Sequence, residues 1–555
     1  MNNTGTRMYR NYFPIKFGWQ GDCKYGILYP VFVKPMYPSD VFKVHADLLI
    51  RYQPMIAPPM NDTIAKVRFA FVPLRLLEEN TELVITGSKE GNLSNETIPT
   101  LDSVFKYLDL SSHNTIEKGS MLDLIYDIPT GIQLTNELLQ KLDADPASPA
   151  LWIAKAFYRF WWDYYRPEDF FGSDFEQSWN YQKTVLHTEF ASLSSCLKKD
   201  RFTSSLPWQL KANVAPTIEV SSSGTMVPNF QGDIIEPHVG VPDFPIGIDG
   251  NSKPLDSYVE SSGGFQQLIT ATGDSNQAFR DYLNQPQQIN LSTIGFNAAQ
   301  FRDMMAQTRI FERLARTGSR YTEYLRANFG IAPSDGTMQR AQYLGGFTTH
   351  IVTTEVIQTA GASNDLGQNT PVGTLRGHGI THGNSTIKPF MAKEIGVMIA
   401  FLDIQPETIY AQGVDRELTL RNRFDFLNPS FQHLSEQEVR KGEIYFDIDV
   451  DSNGRLRNSE TWGFQPYAQE LRTGVKHVHG ELRDTLSYWN QALIFSSRPE
   501  LNFAFLDSHN HQASYNRPFA VTDTTVSPMV VDFGGVIEAY RPLVKEGIPG
   551  YADHN

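Results

Sequence analysis

The chain has 555 residues, of which 41% are hydrophobic and 20% charged, and its formal net charge is −14. This composition excludes a disordered protein, and the negative charge excludes a chain that wraps nucleic acid by charge alone. The two cysteines, Cys23 and Cys196, exclude a disulfide framework, and no apolar run reaches the length of a signal peptide or a membrane span.

Strand periodicity is clearest near the N-terminus. Between Val41 and Arg51 every second residue is apolar, and the same alternation returns from Val67 to Phe71 before Pro73. This period of two predicts two antiparallel strands, each with one buried face. Alternation reappears in residues 395–401, in residues 444–450 and in residues 529–540. Strands at both ends with long segments between them favour one β sandwich carrying large insertions.

The intervening segments have different characters. The stretch LWIAKAFYRFWWDYYRP predicts a helix that ends before Pro167 and packs on the sandwich or on a neighbouring subunit. Residues 216–292 carry nine acidic and two basic side chains without sustained periodicity, which predicts an exposed, turn-rich insertion. Helical spacing over residues 301–315, followed by Gly318, predicts a helix, and a second short helix should end at Gly330.

Several phrases, taken in this order, resemble the major capsid proteins of the Microviridae, in particular the gokushovirus-like branch. They are DVFKVHADLLIRYQPMIAPPM with VRFAFVPLRLL, KKDRFTSSLPWQ at residues 198–209, RIFERLARTGSRYTEYLRANFGIAPSDGTMQRAQYLGG at residues 309–346, RFDFLNPSFQHLSEQEV, and WGFQPYAQELRTGVKHVHGELR. The resemblance implies an eight-stranded antiparallel jelly roll with long helical and loop insertions. It implies a structural protein, not an enzyme, that needs no cofactor.

The resemblance also divides the chain. We expect an N-terminal arm with the first strands, a helical and loop insertion, an acidic surface insertion, an Arg-rich helical segment, and the remaining strands with a C-terminal arm; these are residues 1–73, 74–215, 216–292, 293–346 and 347–555.

The implied assembly is a T=1 icosahedral shell of about sixty copies, the smallest set of equivalent positions in an icosahedron. It would enclose a circular single-stranded DNA genome and assemble in the cytoplasm of a bacterial host. The implied partners are a small basic DNA-binding protein, a minor pilot protein and a host cell-surface receptor bound by the acidic insertion.

Two groups of residues are candidate sites. Arg309, Arg313, Arg316 and Arg320 either line the shell towards DNA or form salt bridges, with Glu312 and Glu323, at subunit contacts; we favour assembly. Asp449, Asp451, Asn453, Gly454 and Glu460 satisfy the calcium-loop pattern D-x-[DN]-x-[DN]-G-x5-E. The strand-like residues before that loop, together with Arg455 and Arg457, favour a polar hairpin loop instead.

Other chemistry finds little support. No phosphate-binding Gly-Lys-Ser/Thr and no Gly-x-Ser-x-Gly nucleophile motif occurs. The closely spaced histidines, 378/382, 477/479 and 509/511, lack a third ligand nearby in sequence. A carbohydrate-active β-sandwich enzyme is the alternative function, since scattered acids such as Glu470, Glu481 and Asp484 could supply a catalytic pair. A carbohydrate-binding module would not need two long insertions.

Overall fold

A computed structural model describes the chain in segments. They are residues 10–79, 81–86, 115–133, 135, 149–172, 174–182, 193–209, 211, 257–262, 265–270, 298–318, 320–357, 359, 362–363, 369–370, 372–373, 375–431, 436–521 and 526–545. Strands are numbered β1–β15 and helices α1–α8 in chain order. The chain divides into two compact units, one formed by Met1–Lys211 with Phe311–Asn555 and the other by Ala212–Ile310.

The larger unit is built on two antiparallel sheets. The first has the strand order β1 (Asn11–Cys23), β15 (Met529–Arg541), β3 (Val41–Tyr52), β11 (Leu375–Met391), β8 (Thr353–Ile357). The second has the order β2 (Leu28–Met36), β12 (Gly396–Pro406), β4 (Thr63–Pro73), β7 (Gln342–Ile351). Apart from β8, which extends one edge of the first sheet, the strand order in the two sheets is that of a jelly roll. The predicted mainly β, antiparallel class is confirmed.

The two sheets face each other across a common core. The apolar side chains of β3 that alternate in sequence, Phe42 to Ile50, are all at most 2% exposed. Phe32 on β2 lies 4.9 Å from the ring of Phe17 on β1, which joins the sheets edge to face. The strands predicted as β3 and β4 both form, but they lie in opposite sheets and pair with other strands.

A helix covers the outer face of the second sheet. This is α3 (Trp152–Tyr164), which ends before Pro167 as predicted. Phe157 and Phe160 pack on Phe401 of β12 with ring centroids 5.2 and 5.5 Å apart. Strand β12 is therefore buried on both faces, and the aromatic run in the helix serves packing against the sandwich.

The remaining helices of the described residues range in length from 4 to 20 residues. The other helices are α1 (Thr81–Thr86), α2 (Met121–Tyr126), α4 (Phe175–Gln182), α5 (Ala298–Thr317), α6 (Tyr321–Phe329), α7 (Phe503–Leu506) and α8 (Gln512–Tyr515). Small two-stranded pairs join β9 (Ala362–Ser363) with β10 (Asn369–Thr370) and β13 (Gln437–Arg440) with β14 (Thr461–Gln465). Across the described segments, no helix is long and apolar enough to cross a lipid bilayer.

In the described part of the smaller unit, β5 (Ser257–Ser262) pairs with β6 (Phe265–Thr270) as a hairpin. Most of the predicted acidic insertion, residues 216–292, lies outside the described residues.

One predicted strand is absent. The alternation at residues 444–450 does not form a strand within a sheet of the described chain, where two isolated bridges join Tyr445 to Gln412 and Val450 to Leu456. Ile444 is buried, whereas Phe446, Ile448 and Val450 are 52, 85 and 56% exposed. No neighbouring strand of the described chain is available to cover their apolar side.

Candidate functional site

The Arg-rich region is a pair of helices, α5 and α6, whose ends are fixed by glycines. Gly318, after α5, has a φ of +87°, and Gly330, after α6, has a φ of +69°. Both angles are in the left-handed region, which glycine adopts without steric cost. The Gly330 N–H donates to the carbonyl of Arg326 at 3.0 Å, so α6 ends where the sequence predicted.

The four arginines have different surroundings. Arg316 forms an ion pair with Glu436, whose carboxylate is fully buried. Arg320 lies 3.5 Å from Glu168 and 3.4 Å from the predicted partner Glu323. Thus two members of the series form ion pairs within the larger unit of a single chain.

Arg313 and Arg309 are less engaged. Arg313 donates to the side-chain oxygen of Asn328 at 3.4 Å and remains exposed. Arg309 is exposed, and no ion pair connects it, or the predicted partner Glu312, to another side chain of the described residues. No carboxylate of the described residues engages either cation, so both the assembly and the DNA-facing hypotheses stay open for them.

The calcium-like sequence forms a turn closed by its own side chains. The Asp451 carboxylate accepts the backbone N–H groups of Asn453 and Arg455, both at 2.8 Å. Gly454 has a φ of +73°, as the sharp turn requires. Asp449, like Asn453, lies exposed at the surface.

Glu460 is already neutralised by two cations. Arg457 Nε lies 2.6 Å and Lys441 Nζ 3.1 Å from its carboxylate. Hydrogen bonds from Arg457 and then Lys441 lower the pKa of Glu460 to about 2. A calcium ion would have to displace both ion pairs, so the geometry supports a polar hairpin loop.

Two of the three histidine pairs have a member that already contacts another group. His477 lies 2.7 Å from Asp415, and His511 is within 2.8 Å of the carbonyl of Phe505. Burial lowers the pKa of His511, which disfavours its charged form. His378 and His382 are exposed on β11. No group of three or more His, Cys, Asp or Glu side chains within the described segments converges to hold a metal ion.

A buried ion network was not predicted from the sequence. The Arg201 side chain is 6% exposed, and it contacts Glu443 at 2.5 Å and Glu470 at 3.1 Å. Arg416 lies 3.7 Å from each of these two carboxylates. Two cations and two anions therefore join segments that are far apart in the chain. No local pattern marks such a network, because 242 positions separate Arg201 from Glu443.

Large apolar side chains are exposed in two neighbouring stretches of sequence. The 418–427 segment exposes Leu418, Phe424, Phe426 and Leu427 to between 53 and 78%. The 446–456 segment exposes Phe446, Ile448, Val450 and Leu456 to between 50 and 85%. Isolated exposed apolar residues are ordinary on a protein surface, but such concentrations mark contact sites for other molecules.

These features define a class of protein: a jelly-roll protein with long insertions and with apolar surface segments of the kind that form contacts between molecules. Comparison with known sequences identifies the family. The chain belongs to the phage capsid protein (F protein) family, which matches residues 2–551. The predicted membership of the Microviridae major capsid proteins is confirmed.

Three relatives span nearly the whole chain, and each is a capsid protein VP1. That of Bdellovibrio phage phiMH2K is 27% identical and covers 97% of this chain and 95% of its own length. That of Chlamydia phage 1 is 25% identical, with 98 and 95% covered. That of Spiroplasma virus 4 is 22% identical, with 95 and 92% covered. This chain is therefore a structural protein of a phage capsid.

Proposed function

We propose that about sixty copies of this chain form a closed T=1 icosahedral shell around a circular single-stranded DNA genome. Membership of the capsid protein family over residues 2–551 supports a shell-forming role for the whole chain. Identical subunits reach closure most simply through icosahedral symmetry, in which every copy has the same neighbours. Assembly would take place in the cytoplasm of the bacterial host.

The main structural support for assembly is the exposed 446–456 segment. Ile448 is 85% exposed, and Phe446 and Val450 beside it are more than half exposed. Burying one such side chain contributes about 1.5–3 kcal/mol. The alternation of residues 444–450 is that of a strand with one buried face, so contact with a second copy would bury what the single chain leaves in water.

The charge of the chain supports additional partners. Its 62 acidic and 48 basic side chains cannot neutralise phosphates by bulk charge. A small basic DNA-binding protein would supply the missing positive charge inside the shell, and a minor pilot protein would complete the particle.

We assign host attachment to residues 216–292. Their nine acidic and two basic side chains account for a charge of −7, half that of the chain. Acidic sequence rich in turns favours the outside of a particle, away from packaged DNA, and binding functions often lie on such surface loops. A host cell-surface receptor is the proposed partner.

Electron microscopy of the purified chain tests shell formation. We expect uniform small hollow particles from the wild type and none from Ile448→Asp, because a carboxylate at the contact would be buried without a partner. Gln20→Asp, which adds the same charge at an exposed position of β1, is the control and should assemble normally. A wild-type chain that stays a dispersed monomer with glycosidase activity would reverse the assignment.

A further inference from the structure

A cavity of about 600 Å³ opens on the larger unit beside the outer face of the second sheet. Its walls come from β4, the turn after α3, residues 195–206, and the junction between α5 and α6. This volume is typical of sites for small ligands, which occupy about 300–1,000 Å³.

The lining of this cavity, called the basic cavity below, carries a charge opposite in sign to that of the whole chain. It contains seven cationic side chains and three carboxylates, a surplus of four positive charges in a chain of charge −14. The cations are Lys66, Arg68, Arg166, Lys198, Lys199, Arg316 and Arg320. A surplus of one sign in a concave site concentrates the field, so it attracts counter-ions more strongly than a flat surface does.

The three carboxylates are already engaged. Asp403 lies 4.0 Å from Lys66 and accepts a hydrogen bond from the Ser195 hydroxyl at 2.8 Å. Glu168 lies 3.5 Å from Arg320, and Asp169 lies 3.7 Å from Lys211.

Four of the cations lack a carboxylate at ion-pair distance within the described residues. They are Arg68, Arg166, Lys198 and Lys199, of which the two lysines are exposed. The guanidinium of Arg166 stacks 3.9 Å above the ring of Trp162 and donates to the carbonyl of Gly172 at 2.5 Å. These contacts fix its plane, while its Nε is buried without a hydrogen-bond partner in the described chain.

The positive charges of Arg166 and Arg320 also repel each other. Burial lowers the pKa of Arg166, and the nearby charge of Arg320 lowers it further. The backbone carbonyl of Arg166 accepts a hydrogen bond from Arg320 at 2.8 Å, so the two residues are held close together. An anion between them would replace this repulsion with attraction.

We propose that the basic cavity binds a phosphate-bearing ligand. A phosphate presents several acceptor oxygens to the planar donors of Arg68 and Arg166, while Lys198 and Lys199 supply point charges at the exposed side. The phosphate could belong to single-stranded DNA or to a small free phosphate compound of the host. The site does not depend on shell formation, because every group that forms it belongs to one chain.

The test compares a cavity variant with a matched control. The cavity variant is Arg68→Gln with Lys199→Gln, and the control is Lys16→Gln with Arg51→Gln, which removes two exposed cations from the first sheet. Binding of inorganic phosphate is measured by titration calorimetry, and binding of oligo(dT) by fluorescence anisotropy, both at constant ionic strength.

We expect the cavity variant to bind at least about tenfold more weakly, because it loses two charge-assisted contacts, and the control to bind like the wild type. Loss of both probes' binding would indicate a site open to free phosphate as well as DNA. Loss for oligo(dT) alone, without phosphate binding by the wild type, would indicate the phosphodiester as the source. The proposal is overturned if the wild type binds neither probe, or if the control variant is weakened as much as the cavity variant. Micrographs of the same samples score shell formation separately.

Discussion

Removing Arg201 from the buried ion network should destabilise the chain strongly. In Arg201→Met, the carboxylates of Glu443 and Glu470 keep Arg416, at 3.7 Å from each, as their only cationic partner in the described chain, and Glu443 also keeps the N–H of Arg440 at 3.1 Å. The Glu443 side chain is 4% exposed, so water cannot replace the lost guanidinium. One uncompensated negative charge then stays buried, and breaking a buried pair in this way costs about 3–5 kcal/mol.

A second substitution should recover part of that loss. In Arg201→Met with Glu443→Met, one cation and one anion remain, and the buried charge is balanced again. We expect the double variant to be more stable than the single variant by at least about 1 kcal/mol, because apolar replacements of a buried pair are often tolerated.

Urea unfolding of the unassembled chain, followed by tryptophan fluorescence, measures both effects. Trp462 is a suitable reporter, because its indole donates to the carbonyl of Phe202, next to Arg201, at 3.1 Å. Lys476→Met is the control, since the Lys476 side chain is 61% exposed and its pair with Glu407 should contribute less than about 1 kcal/mol. A single variant as stable as this control, or a double variant less stable than the single, would refute the reasoning.

Four further predictions concern assembly, exposure, calcium and acid sensitivity. Arg313→Glu should abolish shells even without genome, as seen by electron microscopy; normal empty shells that fail only in DNA packaging would favour the DNA-facing role. Limited proteolysis of intact particles should cut within residues 216–292 before any strand of the two sheets. Earlier cleavage in the strands would contradict the outward placement of residues 216–292. Calcium and chelator should give the same melting temperature in the wild type and in Glu460→Gln; a calcium-dependent rise that the substitution removes would establish a site. Because Arg457 and Lys441 lower the pKa of Glu460 from 4.5 to about 2, these ion pairs stabilise the loop above pH 4.5. Their contribution is lost as the pH falls towards 2, and Glu460→Gln should remove this part of the acid sensitivity seen in melting curves.

Local patterns predicted the elements whose burial is decided by their own neighbours in sequence. The side chains of β3 alternate because one face of the strand meets the core, and this period is visible without knowing the partner strand. Helix α3 ends before Pro167 because proline restricts the residue that precedes it. Gly318 and Gly330 mark helix ends for an equally local reason, their left-handed backbone.

Alternation does not say which chain or sheet buries a strand. Residues 444–450 have the same period as β3, yet Ile448 is 85% exposed because no strand of the described chain lies beside it. Likewise β3 and β4 are close in sequence but belong to different sheets. Strand partners are chosen by contacts between distant segments, which a period of two cannot encode.

The charged clusters could not be predicted from local sequence patterns, for a similar reason. Arg316 was selected as part of a regular series, but its partner Glu436 is 120 positions away. In the sequence, Lys198 and Lys199 stand out only as part of the phrase KKDRFTSSLPWQ, and their surplus charge is apparent only when β4 and the turn after α3 are placed beside them. Charge balance inside a cavity depends on the complete lining.

The position of β15 in the first sheet affects how the protein is made. Met529–Arg541 lies between β1 and β3 and pairs with both, so Asn11 meets Arg541 across the ladder. During translation, β1 has no hydrogen-bonding neighbour in its sheet until β15 has been synthesised, more than 500 residues later in the chain. A nascent or prematurely terminated chain that lacks β15 leaves a gap in the middle of this sheet. Only chains translated through β15 can therefore complete this sheet, and fragments that lack β15 cannot take the place of a folded copy in an assembly.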